Sequence, residues 1–132
     1  TTRAFAPLLR TNARVGGGAA VVNVLTLLSF VSAPSFSAYN ASKAAAWSLT
    51  QSLRAALRPD GVAVHGVFPG AVDTDMLRGV EMPKTSAADV AAAILDGVAA
   101  GEEDIYPDPM ARQVFAGWRA DHKAVERQFA AM

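Results

Sequence analysis

The sequence predicts an α/β fold in which parallel strands alternate with helices. Two continuous apolar segments, residues 19–25 and 62–68, have the composition of strands that are buried on both faces. The segment between them has a helical pattern over residues 39–57, which stops at the Pro-Asp-Gly turn of residues 59–61. Strand, helix and strand in this order form a βαβ unit, whose crossover should be right-handed.

The composition limits the kinds of protein this chain can be. With 132 residues, of which 52% are hydrophobic and 18% charged, the chain fits one globular domain over residues 1–132. Twelve basic and twelve acidic residues cancel, so there is no basic field for nucleic acid or an anionic membrane. The longest apolar run, residues 19–31, is too short to span a bilayer. The absence of cysteine excludes disulfides and thiol catalysis, and we expect a cytoplasmic location.

The first segment is predicted to end a helix and turn into the first strand. Residues 1–12 carry an apolar stripe that includes Phe5 and Leu8, with Pro7 inside it. The three glycines at residues 16–18 precede a strand, whereas a dinucleotide-binding turn follows a strand and opens a helix. We therefore interpret them as a helix-to-strand turn.

A hydroxyl-rich loop follows the first predicted strand. Residues 26–38 contain Thr26 and four serines, at positions 29, 32, 35 and 37. The loop leaves the carboxyl end of a parallel strand, which is where ligands bind in open α/β sheets. This loop is therefore a candidate part of a functional site.

The next helix is predicted to begin with Tyr39 and to carry Lys43 one turn later. Residues four apart share a helical face, so the phenol and the ammonium lie side by side. A cation next to a phenol stabilises the phenolate, which makes the pair a plausible proton donor and acceptor. The pair alone is also compatible with an ordinary helix in which Tyr39 is half-packed and Lys43 is solvated.

The second strand and the segment after it contain other chemically active side chains. His65 lies within the strand, where a packed and hydrogen-bonded histidine is expected. Asp73 and Asp75 follow in a mixed segment over residues 71–85, with no third ligand at a useful spacing. We predict no metal site.

The last third of the chain is predicted to be mainly helical. Ser86 and Asp89 form a capping box that opens a helix to about residue 100. A short strand is predicted at residues 104–106 and a single final helix over residues 109–131. Apolar residues recur along that helix at spacings of three and four, and His122 falls in the same stripe, so we expect it to be packed.

These pieces together resemble the C-terminal half of the short-chain dehydrogenase/reductase family. The matching segments are Val-Val-Asn-Val at residues 21–24, Tyr-Asn-Ala-Ser-Lys-Ala-Ala at 39–45 and Pro-Gly-Ala-Val-Asp-Thr at 69–74. Residues 2–9 also resemble the helix before the central strand, so the resemblance covers residues 1 to about 80. It implies a partial Rossmann-like, doubly wound parallel sheet with flanking helices, without the N-terminal half of that fold.

The resemblance also implies catalytic roles. Tyr39 would be the general acid/base that exchanges a proton with the substrate's carbonyl or alcohol oxygen. Lys43 would stabilise the Tyr39 phenolate and hydrogen-bond the ribose of the cofactor. Thr26 occupies the position of a family serine that binds the substrate oxygen, and its extra methyl group narrows its rotamers. The family's active-site asparagine would fall just upstream of residue 1.

The cofactor implied by the resemblance is NAD or NADP. A short set of residues resembles the segment that touches the nicotinamide end: Pro69, Gly70, Val72 and Thr74. The loop through Pro83 would cover the substrate. The family's Gly-rich phosphate-binding turn and its NAD/NADP selector have no counterpart in these 132 residues. The sequence therefore leaves the choice between NAD and NADP open.

Three functional interpretations follow. The first is an oxidoreductase that acts on a small alcohol or carbonyl compound, with this chain alone an inactive or weakly active fragment. The second is a non-catalytic oligomerisation module, because the family often dimerises through the helix before the central strand and the Tyr/Lys helix. The third is an unrelated α/β binding domain in which the Tyr/Lys pair arises by chance.

An unpaired strand edge also predicts self-association. The strand at residues 19–25 sits in mid-sheet in the family, and here it lacks a neighbour on one side. An exposed apolar edge pairs with another chain. We expect a homo-oligomer or association with the missing half, and the sequence does not decide between a fragment, a gene remnant and a short protein.

Overall fold

A computed structural model describes all 132 residues and shows an α/β arrangement. The helices and strands follow one another in this order: α1 Thr2–Arg14, β1 Ala20–Val24, α2 Ser37–Leu57, β2 Ala63–Val67, β3 Val72–Asp73, β4 Thr85–Ser86, α3 Ala87–Ala99, β5 Asp104–Ile105, α4 Pro109–Ala120 and α5 His122–Ala130. Single 3₁₀ turns lie at Leu27–Ser29, Pro34–Phe36, Arg58–Asp60 and Asp75–Leu77. The predicted βαβ unit is β1–α2–β2.

The main sheet has three parallel strands in the order β1-β2-β5. Ala20 pairs with Ala63 at the start of β1, and Gly66 pairs with Asp104 where β5 joins β2. β2 is buried after its first residue, as predicted. β1 is the edge strand, and the prediction that both of its faces are buried is wrong, because Val22 and Val24 are 40% and 56% exposed.

Helix α1 is held mainly by its contacts with the turn after α2. None of its residues is buried, although Leu9 packs against a small core of Leu57, Val62 and Val64. Arg10 Nε donates to Asp60 Oδ2 at 2.6 Å, and Arg14 Nη2 lies 3.1 Å from Asp60 Oδ1. The Arg10 hydrogen bond, followed by the Arg14 bond, lowers the pKa of Asp60. Pro7 is accommodated inside this helix.

Six aromatic side chains pack together on the other side of the chain around Phe68, which is fully buried. We call them the aromatic cluster: Phe30, Trp47, Phe68, Tyr106, Phe115 and Trp118. The Tyr106 and Phe115 rings stack with their centroids 4.0 Å apart. Beside the cluster, residues of the first 3₁₀ turn pack against Val125 and Phe129 of α5. The loop after β1 is thereby joined to the C-terminal helices.

Arg54 of α2 ties the helix to the main sheet. Its Nε donates to the Val64 carbonyl oxygen at 3.0 Å, and its Nη2 donates to Asp104 Oδ1 at 2.8 Å. The Arg54 side chain is only 13% exposed. His65 is buried with Nδ1 2.5 Å from the Glu102 carbonyl oxygen, which confirms the prediction of a packed histidine.

The final helix differs from the prediction. The chain forms two helices, because Asp121 adopts an extended conformation (φ −151°, ψ 90°) and its Oδ1 accepts the Ala124 N–H at 2.9 Å. An aspartate in this role begins a new helix. The break turns His122 outward, so the predicted packing of His122 is wrong, whereas Val125 and Phe129 are buried as expected.

Other boundaries lie close to the predicted ones. α2 begins two residues before Tyr39, and Ser86 caps α3 by accepting the Asp89 N–H at 3.1 Å, as the capping box predicts. The glycine turn is confirmed, with Gly16 and Gly18 at φ values of 77° and 68°.

No helix combines the length and the apolar character needed to cross a membrane.

The segment between β2 and α3 contains a second small sheet that the sequence did not predict. β3 and β4 run parallel, with Val72 paired to Thr85 and Asp73 to Ser86. Strands of two residues are too short to show a period-two pattern. Residues 74–84 form the loop between them.

Candidate active site

Tyr39 and Lys43 lie in the first two turns of α2. The neighbouring Asn40 is 1% exposed and donates to the Ala33 carbonyl oxygen at 2.9 Å, which fixes the rotation of the helix. Tyr39 is consequently turned outward and is 38% exposed. Lys43 Nζ lies 5.7 Å from the centre of the Tyr39 ring, within the range of a cation–π contact.

Lys43 also contacts the carboxyl end of β1. Its Nζ donates to the carbonyl oxygen of Val24, the last residue of the strand, at 3.2 Å. In an open parallel sheet this end is the ligand-binding end. Lys43 therefore reaches the carboxyl end of the strand and also contacts the Tyr39 ring, which is evidence against the third interpretation, an unrelated domain with a chance pair.

Thr26 lies two residues beyond β1 and is 8% exposed. Its Oγ1 accepts the Leu28 N–H at 3.3 Å, so Thr26 begins the first 3₁₀ turn. The same hydroxyl donates to the Pro69 carbonyl oxygen at 3.4 Å. The hydroxyl predicted to serve the site is thus engaged with the backbone of the segment that follows β2.

Pro69 and Gly70 follow β2 and are held from two sides. The Leu27 N–H donates to the Pro69 carbonyl oxygen at 3.1 Å. On the other side, the Gly70 N–H donates to Asp108 Oδ2 at 2.7 Å. The approach is so close that a Cβ on residue 70 would lie 2.8 Å from Asp108 Oδ1, so only glycine fits without movement.

Val72 and Thr74 are placed further along, in and just after β3. The Thr74 hydroxyl is exposed and donates to the Val72 carbonyl oxygen at 3.4 Å. The hydrogen bonds of these two residues do not reach Tyr39 or Lys43. The structure thus groups the predicted residues as a Tyr39/Lys43 pair, a Thr26–Pro69–Gly70 network and a separate β3 segment.

The two carboxylates considered for a metal do not form a site. Asp75 is 91% exposed and pairs with Arg78 in the same 3₁₀ turn. No group of three or more possible metal-ligating side chains occurs in the structure. Asp73 and Asp75 are surface carboxylates.

A shallow groove of about 340 Å³ runs along the open edge of β1 and includes Lys43. It is lined by residues of β1, by Thr2 and by Ala46, Leu49 and Leu53 of α2. A larger cleft of about 550 Å³ lies at the amino ends of β1 and β2 and contains none of the predicted site residues. Of the predicted site residues, Lys43 lines the smaller groove and Tyr39 does not.

Asp108 is the site residue that sequence reasoning missed. An aspartate followed by Pro109 at the start of a helical pattern is a recognisable helix cap. That signal predicts the hydrogen bond from Asp108 to its own helix. It does not predict the second bond, to Gly70, which depends on the packing of distant segments.

Comparison with known proteins places this arrangement in a family. The family model described as short chain dehydrogenase matches residues 1–84. The 1-deoxy-11-beta-hydroxypentalenate dehydrogenase of Streptomyces exfoliatus is 36% identical over 94 residues, which are 71% of this chain and 33% of that protein. The human dehydrogenase/reductase SDR family member 4 is 38% identical over 84 residues, with 60% of this chain and 30% of that protein covered.

Solved structures agree over almost the whole chain. A short chain dehydrogenase from Burkholderia cenocepacia in complex with NADP is 37% identical, with a TM-score of 0.88 over 97% of this chain and 52% of that one. A short chain dehydrogenase/reductase from Burkholderia phymatum in complex with NAD is 27% identical, with a TM-score of 0.72 over 96% of this chain and 54% of that one. This chain therefore spans about half the length of these neighbours.

These matches confirm the predicted partial Rossmann-like parallel sheet and its flanking helices. The family match includes every residue of the predicted site, from Thr26 to Thr74, and it ends before Asp108. The chain belongs to the short-chain dehydrogenase family.

Proposed function

We propose that the protein containing this chain transfers a hydride between NAD(H) or NADP(H) and an alcohol or carbonyl compound. The observation that carries the proposal is the Tyr39/Lys43 pair. Lys43 Nζ lies 5.7 Å from the centre of the Tyr39 ring and 3.2 Å from the Val24 carbonyl oxygen at the end of β1. Membership of an oxidoreductase family supports it. The proposed location is the cytoplasm, and residues 1–132 are proposed to belong to one domain.

In this proposal Tyr39 is the general acid/base. Its phenol gives a proton to a carbonyl oxygen in the reduction, and its phenolate takes one from an alcohol in the oxidation, while the cofactor when bound supplies or accepts the hydride. The ammonium of Lys43 stabilises the phenolate that remains. Thr26 would orient the same substrate oxygen, which requires its hydroxyl to leave the 3.4 Å bond to Pro69.

The residues present suit only the nicotinamide end of the cofactor. Lys43 offers a donor at the end of β1, and Gly70 follows the neighbouring strand β2, where Asp108 and Met110 fill the space beside it. We propose that these two residues, with Pro69, Val72 and Thr74, contact that end. Neighbours bound to NADP and to NAD both resemble this chain, so they support a nicotinamide cofactor without selecting one.

Because the chain spans about half of its solved neighbours, we propose that it is inactive or weakly active alone. A chimera provides the complete fold: the N-terminal half of the Burkholderia cenocepacia relative joined to residue 1 of this chain. We expect calorimetric titration to show micromolar binding of NADPH or NADH to the chimera and much weaker binding to the 132-residue chain. Micromolar binding to the chain alone would contradict its proposed inactivity.

The catalytic role is tested by Tyr39→Phe in the chimera, assayed for NAD(P)H oxidation with a panel of aldehydes and ketones. Losing the phenolic proton should reduce kcat by at least about 100-fold, while cofactor binding is kept. Tyr106→Phe is the matched control, because it makes the same change at the chain's other tyrosine. Turnover retained in Tyr39→Phe would refute the proposed role of Tyr39.

A non-catalytic oligomerisation module is the second candidate. Apolar side chains are exposed on the helices flanking the open edge: Phe5 and Leu8 of α1 are 55% and 58% exposed, and Leu49 of α2 is 64% exposed. We propose that a second copy or a missing N-terminal half covers this region. A stable dimer that does not bind nicotinamide cofactors would favour the module, and a monodisperse monomer in light scattering at micromolar concentration would contradict covering by a second copy.

A further inference from the structure

Asp108 makes two backbone hydrogen bonds from a fully buried position. It is 0% exposed and begins α4, where its Oδ1 accepts the Ala111 N–H at 2.8 Å. Its Oδ2 accepts the Gly70 N–H at 2.7 Å, across 38 residues of sequence. The carboxylate therefore joins the start of a C-terminal helix to the backbone that follows β2.

Capping a helix does not require this arrangement. Asp121 and Ser86 cap α5 and α3 from exposed positions, each accepting the backbone N–H three residues on. A buried carboxylate is costly unless hydrogen bonds compensate for its lost hydration. Asp108 is the one of these three caps that is buried and that also binds a distant backbone group.

The group it binds is central to the candidate site. The peptide between Pro69 and Gly70 is held on its oxygen side by the Leu27 N–H and the Thr26 hydroxyl, at 3.1 and 3.4 Å. Asp108 holds the same peptide on its nitrogen side at 2.7 Å. Of these three bonds the one to Asp108 is the shortest.

The close contact also restricts residue 70. A Cβ there would lie 2.8 Å from Asp108 Oδ1 and 2.9 Å from Met110 Cβ. Residues 108–110 thus form one wall against which the Pro69–Gly70 peptide rests. A shift of this wall moves the peptide and, through the bond from the Leu27 N–H to the Pro69 carbonyl oxygen, the backbone next to Thr26.

We propose that Asp108 is a positioning residue for the oxidoreductase site: its second oxygen fixes the Pro69–Gly70 peptide and, through it, Thr26. The inference rests on the proposed function. It assigns a role in the site to the C-terminal segment, which lies beyond the residues 1–84 that match the family. Asp108 acts on the substrate side only through this backbone and touches neither Tyr39 nor Lys43.

Asp108→Ser separates the two bonds. Serine is a good helix cap, so the Ala111 bond is kept, as at Ser86, while its shorter side chain cannot also reach Gly70. Asp121→Ser is the matched control, because it makes the same change at an exposed cap that binds only its own helix. Asp108→Asn, which keeps the shape but loses one acceptor, provides a second variant if Asp108→Ser does not fold.

The first measurement needs no enzymatic activity. Hydrogen exchange of the Gly70 amide, followed by NMR in the 132-residue chain, should be about tenfold faster in Asp108→Ser than in the wild type or Asp121→Ser. The Gly70 amide proton should also move upfield, because it loses its short hydrogen bond to Asp108 Oδ2. An unchanged Gly70 amide would refute the positioning bond, whether or not the protein is an oxidoreductase.

The second measurement is the steady-state kinetics of the chimera. Asp108→Ser should raise the KM for NADPH by about tenfold, whereas a purely structural defect would lower the amount of active enzyme and leave KM unchanged. A fall in thermal stability with unchanged KM would overturn the proposal, as would failure of both Asp108 variants to fold while Asp121→Ser folds. If the wild-type chimera shows no turnover, the proposed function fails. The hydrogen exchange of the Gly70 amide then still tests the bond between Gly70 and Asp108.

Discussion

The two sides of the β1–β2 pair are built differently. On the C-terminal side the aromatic cluster closes the core, with Phe68 fully buried and stacked on Tyr106 at a centroid distance of 5.5 Å. On the N-terminal side β1 is an open edge, and α1 has no buried residue. The chain is therefore closed by aromatic packing on one side of its candidate site and exposed on the other.

The site residues lie at the boundary between these two sides. Lys43 belongs to the open side, since it reaches the end of the edge strand β1. Gly70 belongs to the closed side, since Asp108 holds it against α4. The two parts of the site therefore depend on different supports. The position of the Pro69–Gly70 peptide depends on packing within this chain, and the position of Lys43 depends on whatever covers the open edge of β1.

The largest expected effect is in the aromatic cluster. Phe68→Ala should lower the free energy of unfolding by about 3–5 kcal/mol, because it leaves a cavity among Phe30, Trp47 and Tyr106. Phe5→Ala on the open side removes a side chain that is 55% exposed and should change stability by less than about 0.5 kcal/mol. Urea denaturation of both variants gives the comparison, and equal losses would contradict the difference between the two sides.

Removing a charged contact should also cost more stability for the buried Arg54 than for the exposed Arg14, and this difference should be smaller than the one between the two phenylalanines. Arg54 is 13% exposed and bonds to Val64 and Asp104, so Arg54→Ala should cost about 2 kcal/mol after allowing for the partly exposed Asp104. Arg14 is 71% exposed in its pair with Asp60, so Arg14→Ala should lower the free energy of unfolding less than Arg54→Ala does. Thermal unfolding of the two variants measures this, and a greater loss for Arg14→Ala would reverse the comparison.

The smallest effect is expected at alkaline pH. Burial, followed by the negative charge of Asp104, raises the pKa of Tyr106 above its ordinary value of about 10. The unfolded chain then loses this proton first, so the contribution to stability is complete below pH ~10 and is lost as the pH rises further. Tyr106→Phe should show a weaker loss of stability between pH 9 and 11, measured by denaturation at each pH, with Tyr39→Phe as the control. An identical pH dependence in Tyr106→Phe and wild type would contradict this assignment.

Local sequence patterns predict the central elements of this fold well. The apolar strands, the Tyr39/Lys43 spacing and the Ser86 cap are each encoded within a few residues, because period and capping chemistry act locally. The break at Asp121 also had a local signal, since aspartate favours a helix cap, but the continuous apolar stripe concealed it.

Features that depend on distant segments were not predictable in this way. The exposure of β1 follows from which strands lie beside it, and not from its valines. The pairing of β3 with β4 and the bond between Asp108 and Gly70 each join residues more than ten positions apart. Neither leaves a periodic pattern in the sequence.

The most direct test of the proposed function follows the hydride itself. The chimera is incubated with NADPH carrying deuterium at the transferable position and with a reducible ketone, and the alcohol is analysed by mass spectrometry. We expect deuterium on the carbinol carbon with the wild type, and at least about 100-fold less with Tyr39→Phe at equal cofactor binding. Equal label transfer by the two proteins would contradict the role of Tyr39 as the proton donor.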